Sequence, residues 1–311
     1  MTTSTAPRPA VAQRVSAWFF HHPRLRLALA LGPVVAWLGV VYLGSLASLL
    51  FQSLWRLDSF TGQVVQEIGL STLRDVFTEA NRAVVVRTFA MAAAVTVTCA
   101  IFAYPLAYYM ARVASARAKA ALYVLVLMPL WSSYLVRVYS WRIILDKEGL
   151  LDWTTQHLGL QGVLNWLLDR PGIGGTSLAF STLGLYLVFV YIWLPYMILP
   201  LQAALERIPR SYVEASADLG GHPALTFRKV IFPLALPGMI AGSIFTFALT
   251  LGDFIAPDII GDGRPFIGTV VYVSQGVSGN VPFAAAFSIV PIVIMAAYLT
   301  IARRLGAFES L

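Results

Sequence analysis

A chain of 311 residues, 58% of them hydrophobic and 12% charged, with a mean hydropathy of +0.74, has the composition of a membrane protein rather than of a soluble domain. Its one cysteine, Cys99, excludes an internal disulfide and a thiolate metal cluster. The net charge of +7 and the pI near 9.7 do not gather into a compact basic domain, so no nucleic-acid partner is expected and the excess charge needs a topological explanation.

Residues 1–26 carry Arg8, Arg14, Arg24 and Arg26 with no acid. The apolar run after them, about 27–51, is longer than the core of a cleaved signal peptide and is expected to be a retained first span, a span needing about 20 apolar residues. Residues 52–83 contain Asp58, Glu67, Asp75 and Glu79, a charged loop with room for a short surface helix. A second span is predicted over about 84–111, followed by a basic turn at Arg112, Arg117 and Lys119. A third covers about 120–141 and holds Pro129, Trp131, Tyr134 and Arg137. In the loop 142–178, leucines and tryptophans recur at helical spacing through LLDWTTQHLGLQGVLNWLLD, a patch suited to the membrane interface. The fourth span, about 178–201, carries Trp193, Pro195, Tyr196 and Pro200 near its end.

A polar, basic stretch, EASADLGGHPALTFRKVIFPLALPG over 214–238, then interrupts the apolar chain. Pro209 can open a short helix and Gly220-Gly221 can close it through a left-handed cap. Pro223 can start a second helix that carries Arg228 and Lys229 as far as Pro233, which predicts a helix–turn–helix lying across a membrane face. On composition alone a solvated connecting loop is the alternative. The fifth span is predicted over about 234–251, where Gly238 and Gly242, four apart and extended by Ala241 and Ser243, permit close helix packing. An outer loop with Asp253, Asp258, Asp262 and Arg264 leads to a sixth span over about 283–302 and to Arg303-Arg304.

With the N-terminus inside, the inner segments hold 13 Lys or Arg against 4 acids and the outer loops 7 against 11. The positive-inside rule therefore puts both termini and the 214–238 stretch in the cytoplasm. No phosphate-binding loop can form, because Lys119, Lys147 and Lys229 follow Ala118, Asp146 and Arg228 rather than glycine. His21, His22, His157 and His222 lie in loops or the tail without metalloprotease spacing, so neither an enzyme nor a metal site is expected.

Glu214-Ala215-Ser216, three residues, Gly220, nine residues, Val230, one residue and Phe232-Pro233 resemble the EAA signature of membrane subunits of binding-protein-dependent ABC importers. The departures are conservative: Ser216 replaces the usual second alanine, and Val230 and Phe232 replace isoleucine and leucine. The segments PLWSSYLVRVYSW (129–141) and LGDFIAPDIIGDG (251–263) are similar to those of the spermidine and putrescine permeases, and the likeness spans roughly 25–305.

The resemblance implies an all-α integral membrane fold of six transmembrane helices, the type I ABC importer transmembrane domain, with the first span wrapping a five-helix core. The permease domain would occupy 27–302, its cytoplasmic coupling loop 203–233, and the tails 1–26 and 303–311. Coupling to an ATPase would fall to Glu214, Ala215, Ser216, Asp218, Gly220, Gly221 and Arg228. No cofactor belongs to this chain on that reading; ATP and Mg²⁺ are held by two copies of a cytoplasmic ATPase. The remaining partners are a second homologous permease subunit and an extracytoplasmic binding protein, in a bacterial inner membrane. A polyamine is the implied substrate, with opines, aminophosphonates and iron as alternatives. A secondary transporter would be favoured by inverted repeats, and none is visible.

Trp131, Tyr134, Arg137, Trp193, Tyr196, Asp253 and Asp258 are the candidates for the substrate pathway or gate. Asp253, Asp258 and Arg137 are expected to meet at the outer mouth, Arg137 pairing with an aspartate when no substrate is present. The bland alternative has the aspartates capping a loop, Arg137 reaching to the interface, and the aromatic residues forming interfacial belts.

Overall fold

Inside a bilayer every backbone N–H and C=O must find its partner within the chain, and an apolar sequence without strand alternation meets that demand as helix. The computed structural model describes residue 20, residues 23–58 and residues 60–304, so most of the two predicted tails lies outside the described residues. Five helical stretches are long and apolar enough to cross a membrane: Leu27–Gln52, Glu79–Val113, Thr182–Arg207, Pro223–Gly252 and Val281–Arg304. A sixth crossing is made by two shorter helices meeting at 95°.

The first span joins α1 (Pro23–Trp37) to α2 (Gly44–Gln52) through a π-helical segment, Leu38–Leu43. None of its residues from Leu27 to Gln52 is buried, and α2 leans on the sixth span, as a helix wrapped around the outside should. A two-residue ribbon, β1 (Arg56–Leu57) against β2 (Val64–Val65), and α3 (Ser71–Val76) fill the charged loop. The second span is α4 (Glu79–Tyr108), ending in a π-helical turn, Tyr109–Val113.

The third span is not the single helix expected. It is α5 (Ala116–Trp131) and α6 (Tyr134–Ile144), parted at Ser132-Ser133, both of which are extended. Pro129 donates no N–H and its ring crowds the preceding turn, and the Ser132 hydroxyl then donates to the Pro129 carbonyl at 2.8 Å in place of the helical ladder. The elbow turns Tyr134 and Arg137 away from the axis of α5.

Two short helices, α7 (Leu150–His157) and α8 (Gln161–Leu168), account for the amphipathic patch, and the fourth span follows as α9 (Thr182–Arg207). The polar stretch forms α10 (Arg210–Asp218) and α11 (Pro223–Thr226), but the second arm does not stop at Pro233. It passes through a π-helical turn, Phe227–Ile231, straight into α12 (Phe232–Gly252), so that one 30-residue helix replaces a surface helix and a separate fifth span. The wide turn comes where Pro233 has no N–H for the α-helical ladder, so the helix accommodates the proline rather than ending at it.

Beyond α12 lie α13 (Ile255–Ile259), an unanticipated α14 (Ile267–Gly276), and the sixth span α15 (Val281–Arg304). The core forms where α9, α12 and α4 pack on one another, around fully buried Phe189, Ile192, Met197, Leu201 and Leu205 of α9. Gly238 and Gly242 are what let α12 come so close. A Cβ on Gly238 would stand 2.4 Å from the Ala204 Cβ, and one on Gly242 3.0 Å from the Met197 Cα.

Candidate functional site

Two surfaces gather the candidate residues, at opposite ends of the α9–α12 pair. At the basic end, α10 leaves the fourth span through Ile208 and Pro209. Gly220 ends it at φ +79°, the left-handed geometry expected of a C-terminal cap, with open space where a side chain would be. Gly221 is confined for a different reason: a Cβ there would meet the Ser216 carbonyl oxygen and hydroxyl at 2.6 Å. The His222 ring accepts the Leu225 N–H at 3.3 Å and so caps α11, with Pro223 in the first turn as expected.

Ser216, the departure from the family pattern, bonds the Thr226 hydroxyl across the turn at 2.8 Å and ties α10 to α11. Glu214, Ala215, Asp218 and Arg228 are exposed, as a docking face requires, and Leu219 protrudes at 90% exposure. Beside it runs a largely apolar groove of about 490 Å³, lined by Tyr212, Ala215, Leu219, Leu225, Lys229 and Val230 among others. Phe227 and Phe232 meet Tyr104 of α4 at ring separations of 5.5 and 5.8 Å, so the segment is packed on the second span as well as continuous with the fifth.

The same end is braced by a polar chain that the sequence did not single out. Tyr123 of α5 donates to Gln202 of α9, Gln202 donates to Glu206, and Lys119 forms an ion pair with Glu206. Gln202 is 1% exposed, so this chain secures α5, the first half of the third span, to the fourth. Arg112 adds a bond to the Ile208 carbonyl at 2.8 Å. The signal was present as Lys119, Tyr123, Gln202 and Glu206 at helical spacing on two spans, but their pairing needs the tertiary packing.

At the opposite end, Tyr134, the first residue of α6, stacks on Trp193 of α9 with ring centres 5.8 Å apart and an interplanar angle of 15°. Tyr196 closes on Trp193 edge-on at 5.8 Å. The Tyr134 hydroxyl donates to Asp253 Oδ2, and the other carboxylate oxygen accepts the N–H groups of Ile255 and Ala256 at 2.8 and 3.0 Å. Burial raises the Asp253 carboxyl above the usual carboxylate range, against the lowering effect of these hydrogen bonds. Gly268 of α14 packs against its backbone, where a Cβ would lie 2.5 Å from the Asp253 carbonyl oxygen. A cavity of about 310 Å³ is lined by Tyr134, Trp193, Ala248, Leu249 and Gly252–Ile255.

Two expectations for this mouth are corrected. Arg137 does not pair with an aspartate: its guanidinium stands 5.7 Å from the Tyr134 ring centre, and Nε and Nη1 are buried without a hydrogen-bond partner. The elbow brings Tyr134, one turn earlier, to the carboxylate instead. Asp258 is exposed on α13, where it lines two surface clefts rather than the aromatic cavity. Trp131, the last residue of α5 before the break, is 78% exposed and does not line this cavity.

The outer loops are knitted by charge. Asp262 accepts from Arg264 Nε at 2.6 Å and from Thr182 at 2.8 Å; these bonds outweigh the effect of burial and hold its carboxyl below the usual range. Arg264 also reaches the Gly172 carbonyl at 3.0 Å. Arg87 donates to the Pro265 carbonyl at 2.8 Å.

Residues 103–308 match the family described as "Binding-protein-dependent transport system inner membrane component". The chain is 52% identical over 305 residues to the inner membrane ABC transporter permease protein YdcU of Escherichia coli strain K12, covering 98% of this chain and 97% of that protein. It is 30% identical over 232 residues to the spermidine/putrescine transport system permease protein PotB of Haemophilus influenzae, covering 74% and 76%. A bacterial alginate ABC transporter, solved in complex with an alginate pentasaccharide-bound periplasmic protein, shares the fold with a TM-score of 0.68 over 93% of this chain and 96% of that one, at 14% identity. With the signature in an exposed turn and the spans packed behind it, this chain belongs to the binding-protein-dependent transport system inner membrane components, the permease subunits of ABC importers, in which the ATPase resides in separate subunits.

Proposed function

We propose that this permease is one of two homologous transmembrane subunits of an importer for small polyamines such as putrescine and spermidine. Two cytoplasmic ATPase subunits, which hold ATP and Mg²⁺, dock on the 210–233 segment, with the Leu219 knob and Glu214 at the contact. An extracytoplasmic binding protein delivers substrate at the opposite end. The observation that carries the substrate class is the mouth, where a partly buried carboxylate, Asp253, lies in a widely open pocket beside the faces of Tyr134 and Trp193. Partial burial of a carboxylate costs free energy that a cation offsets and a neutral or anionic solute does not, and a ring face adds about 0.5–2 kcal/mol per ammonium contact. The relatives named for spermidine and putrescine support the same reading.

The orientation follows from the 13 basic residues of the inner segments, which place the 210–233 segment and both termini in the cytoplasm. Titration of the cognate binding protein with putrescine and spermidine tests the substrate class. Micromolar binding of either is expected, and selective binding of an opine or an aminophosphonate would overturn it. Cysteines placed at Gly162 and Gly279 should react with an impermeant thiol reagent from outside and one at Ser211 should not; the reverse pattern inverts the topology.

A further inference from the structure

The two halves of the third span are fastened to different helices. Its inner half is held to α9 by Tyr123, Gln202, Glu206 and Lys119, and its outer half to the end of α12 by the Tyr134–Asp253 hydrogen bond. Tyr134 lies immediately beyond the Ser132-Ser133 break, so it fixes the direction in which the elbow points. Among the described residues Asp253 forms no ion pair: a neutral phenol, not a cation, occupies its outer oxygen. In the same cavity Trp193 is 94% buried by its 6% exposure, and its indole N–H has no hydrogen-bond partner.

We propose that the Tyr134–Asp253 bond is the outer latch of the pathway and that a primary ammonium group opens it by taking the place of the phenol on Asp253. This deepens the polyamine reading and rests on it for the identity of the key, though not for the latch. The exchange is directional. An ammonium brings a full charge and three N–H donors to a carboxylate that the phenol supplies with one neutral donor, so the cation is bound better in the state where Tyr134 has left. A ligand shifts a conformational equilibrium only through such a difference in affinity. Release of the hydroxyl also frees the Tyr134 ring from Trp193, exposing an aromatic face to the cation. At about 310 Å³ and open to the surface, the cavity is at the small end for a ligand pocket.

The test uses the complete transporter, with its second permease subunit, ATPase and binding protein, in nanodiscs for hydrolysis and in proteoliposomes for uptake of radiolabelled putrescine. Tyr134→Phe removes the hydroxyl and keeps the ring, and Asp253→Asn removes the charge and keeps the shape; co-purification of the ATPase verifies assembly of each. Tyr134→Phe should raise hydrolysis in the absence of binding protein at least threefold. Asp253→Asn should lower putrescine uptake at least tenfold. Hydrogen exchange of the backbone at 132–138 should quicken in Tyr134→Phe without ligand, and in the parent only when millimolar putrescine is added.

Parental basal hydrolysis and parental exchange in Tyr134→Phe would overturn the latch whatever the substrate is. Putrescine uptake by Asp253→Asn within twofold of the parent would overturn the ammonium key. A parent transporter that does not accumulate putrescine fails the polyamine reading and the key together, while the latch still stands or falls on basal hydrolysis and exchange.

Discussion

Ser216 shows how a single side chain sets the shape of the coupling segment. Its hydroxyl joins α10 to α11 through Thr226, and its carbonyl and hydroxyl leave Gly221 no room for a Cβ. Loss of a hydrogen bond of this kind costs about 1 kcal/mol. Ser216→Ala should therefore lower the thermal midpoint of the purified subunit modestly and leave ATPase binding intact. Gly221→Ala forces apart backbone already in contact and should weaken co-purification of the ATPase severalfold. Equal behaviour of the two variants would mean that the turn is not shaped by this contact. At the mouth, residue types were legible in the sequence but partners were not. Asp253, Tyr134 and Trp193 announce a polar, aromatic outer site, yet a linear chain cannot show that a phenol rather than the Arg137 guanidinium reaches the carboxylate. That choice is made by the elbow, which is a property of the element.

The elements follow from the sequence wherever one rule acts alone. Long apolar runs became spans, Gly220 took the left-handed cap, and Gly238 and Gly242 became the seam on which α12 meets α9. Where two rules competed, the sequence was ambiguous. Pro129 and Pro233 both remove a backbone donor, yet the first is followed by Ser132, whose hydroxyl donates to the Pro129 carbonyl, and the helix breaks, whereas the second follows a π-helical turn and the helix continues. The helix α14 escaped notice because the ten residues Ile267–Gly276 are too short for a span and too apolar for a surface loop. The seam is open to test. Gly242→Val would set a branched side chain against Met197, and overpacking of this kind costs about 1–3 kcal/mol. It should lower the thermal midpoint of the subunit and slow transport without loss of ATPase binding. A midpoint equal to that of the parent would show that α9 and α12 can separate freely.

At the scale of the whole molecule, the 30-residue helix Pro223–Gly252 begins in the polar 214–238 stretch and ends beside Asp253, so one continuous helix joins the two candidate surfaces. A helix of that length spans about 45 Å at 1.5 Å per residue, and its displacement at one end is displacement at the other. The central claim is that ATP hydrolysis by partner subunits is transmitted along this path to a pathway that admits polyamines. Accumulation of radiolabelled putrescine in proteoliposomes, comparing the parent with Glu214→Lys, tests it most directly. The parent should accumulate putrescine only with ATP enclosed and loaded binding protein outside, and Glu214→Lys, assembled with its ATPase, should hydrolyse ATP without accumulation. Accumulation by the parent without ATP, or at the parental rate by Glu214→Lys, would contradict the account.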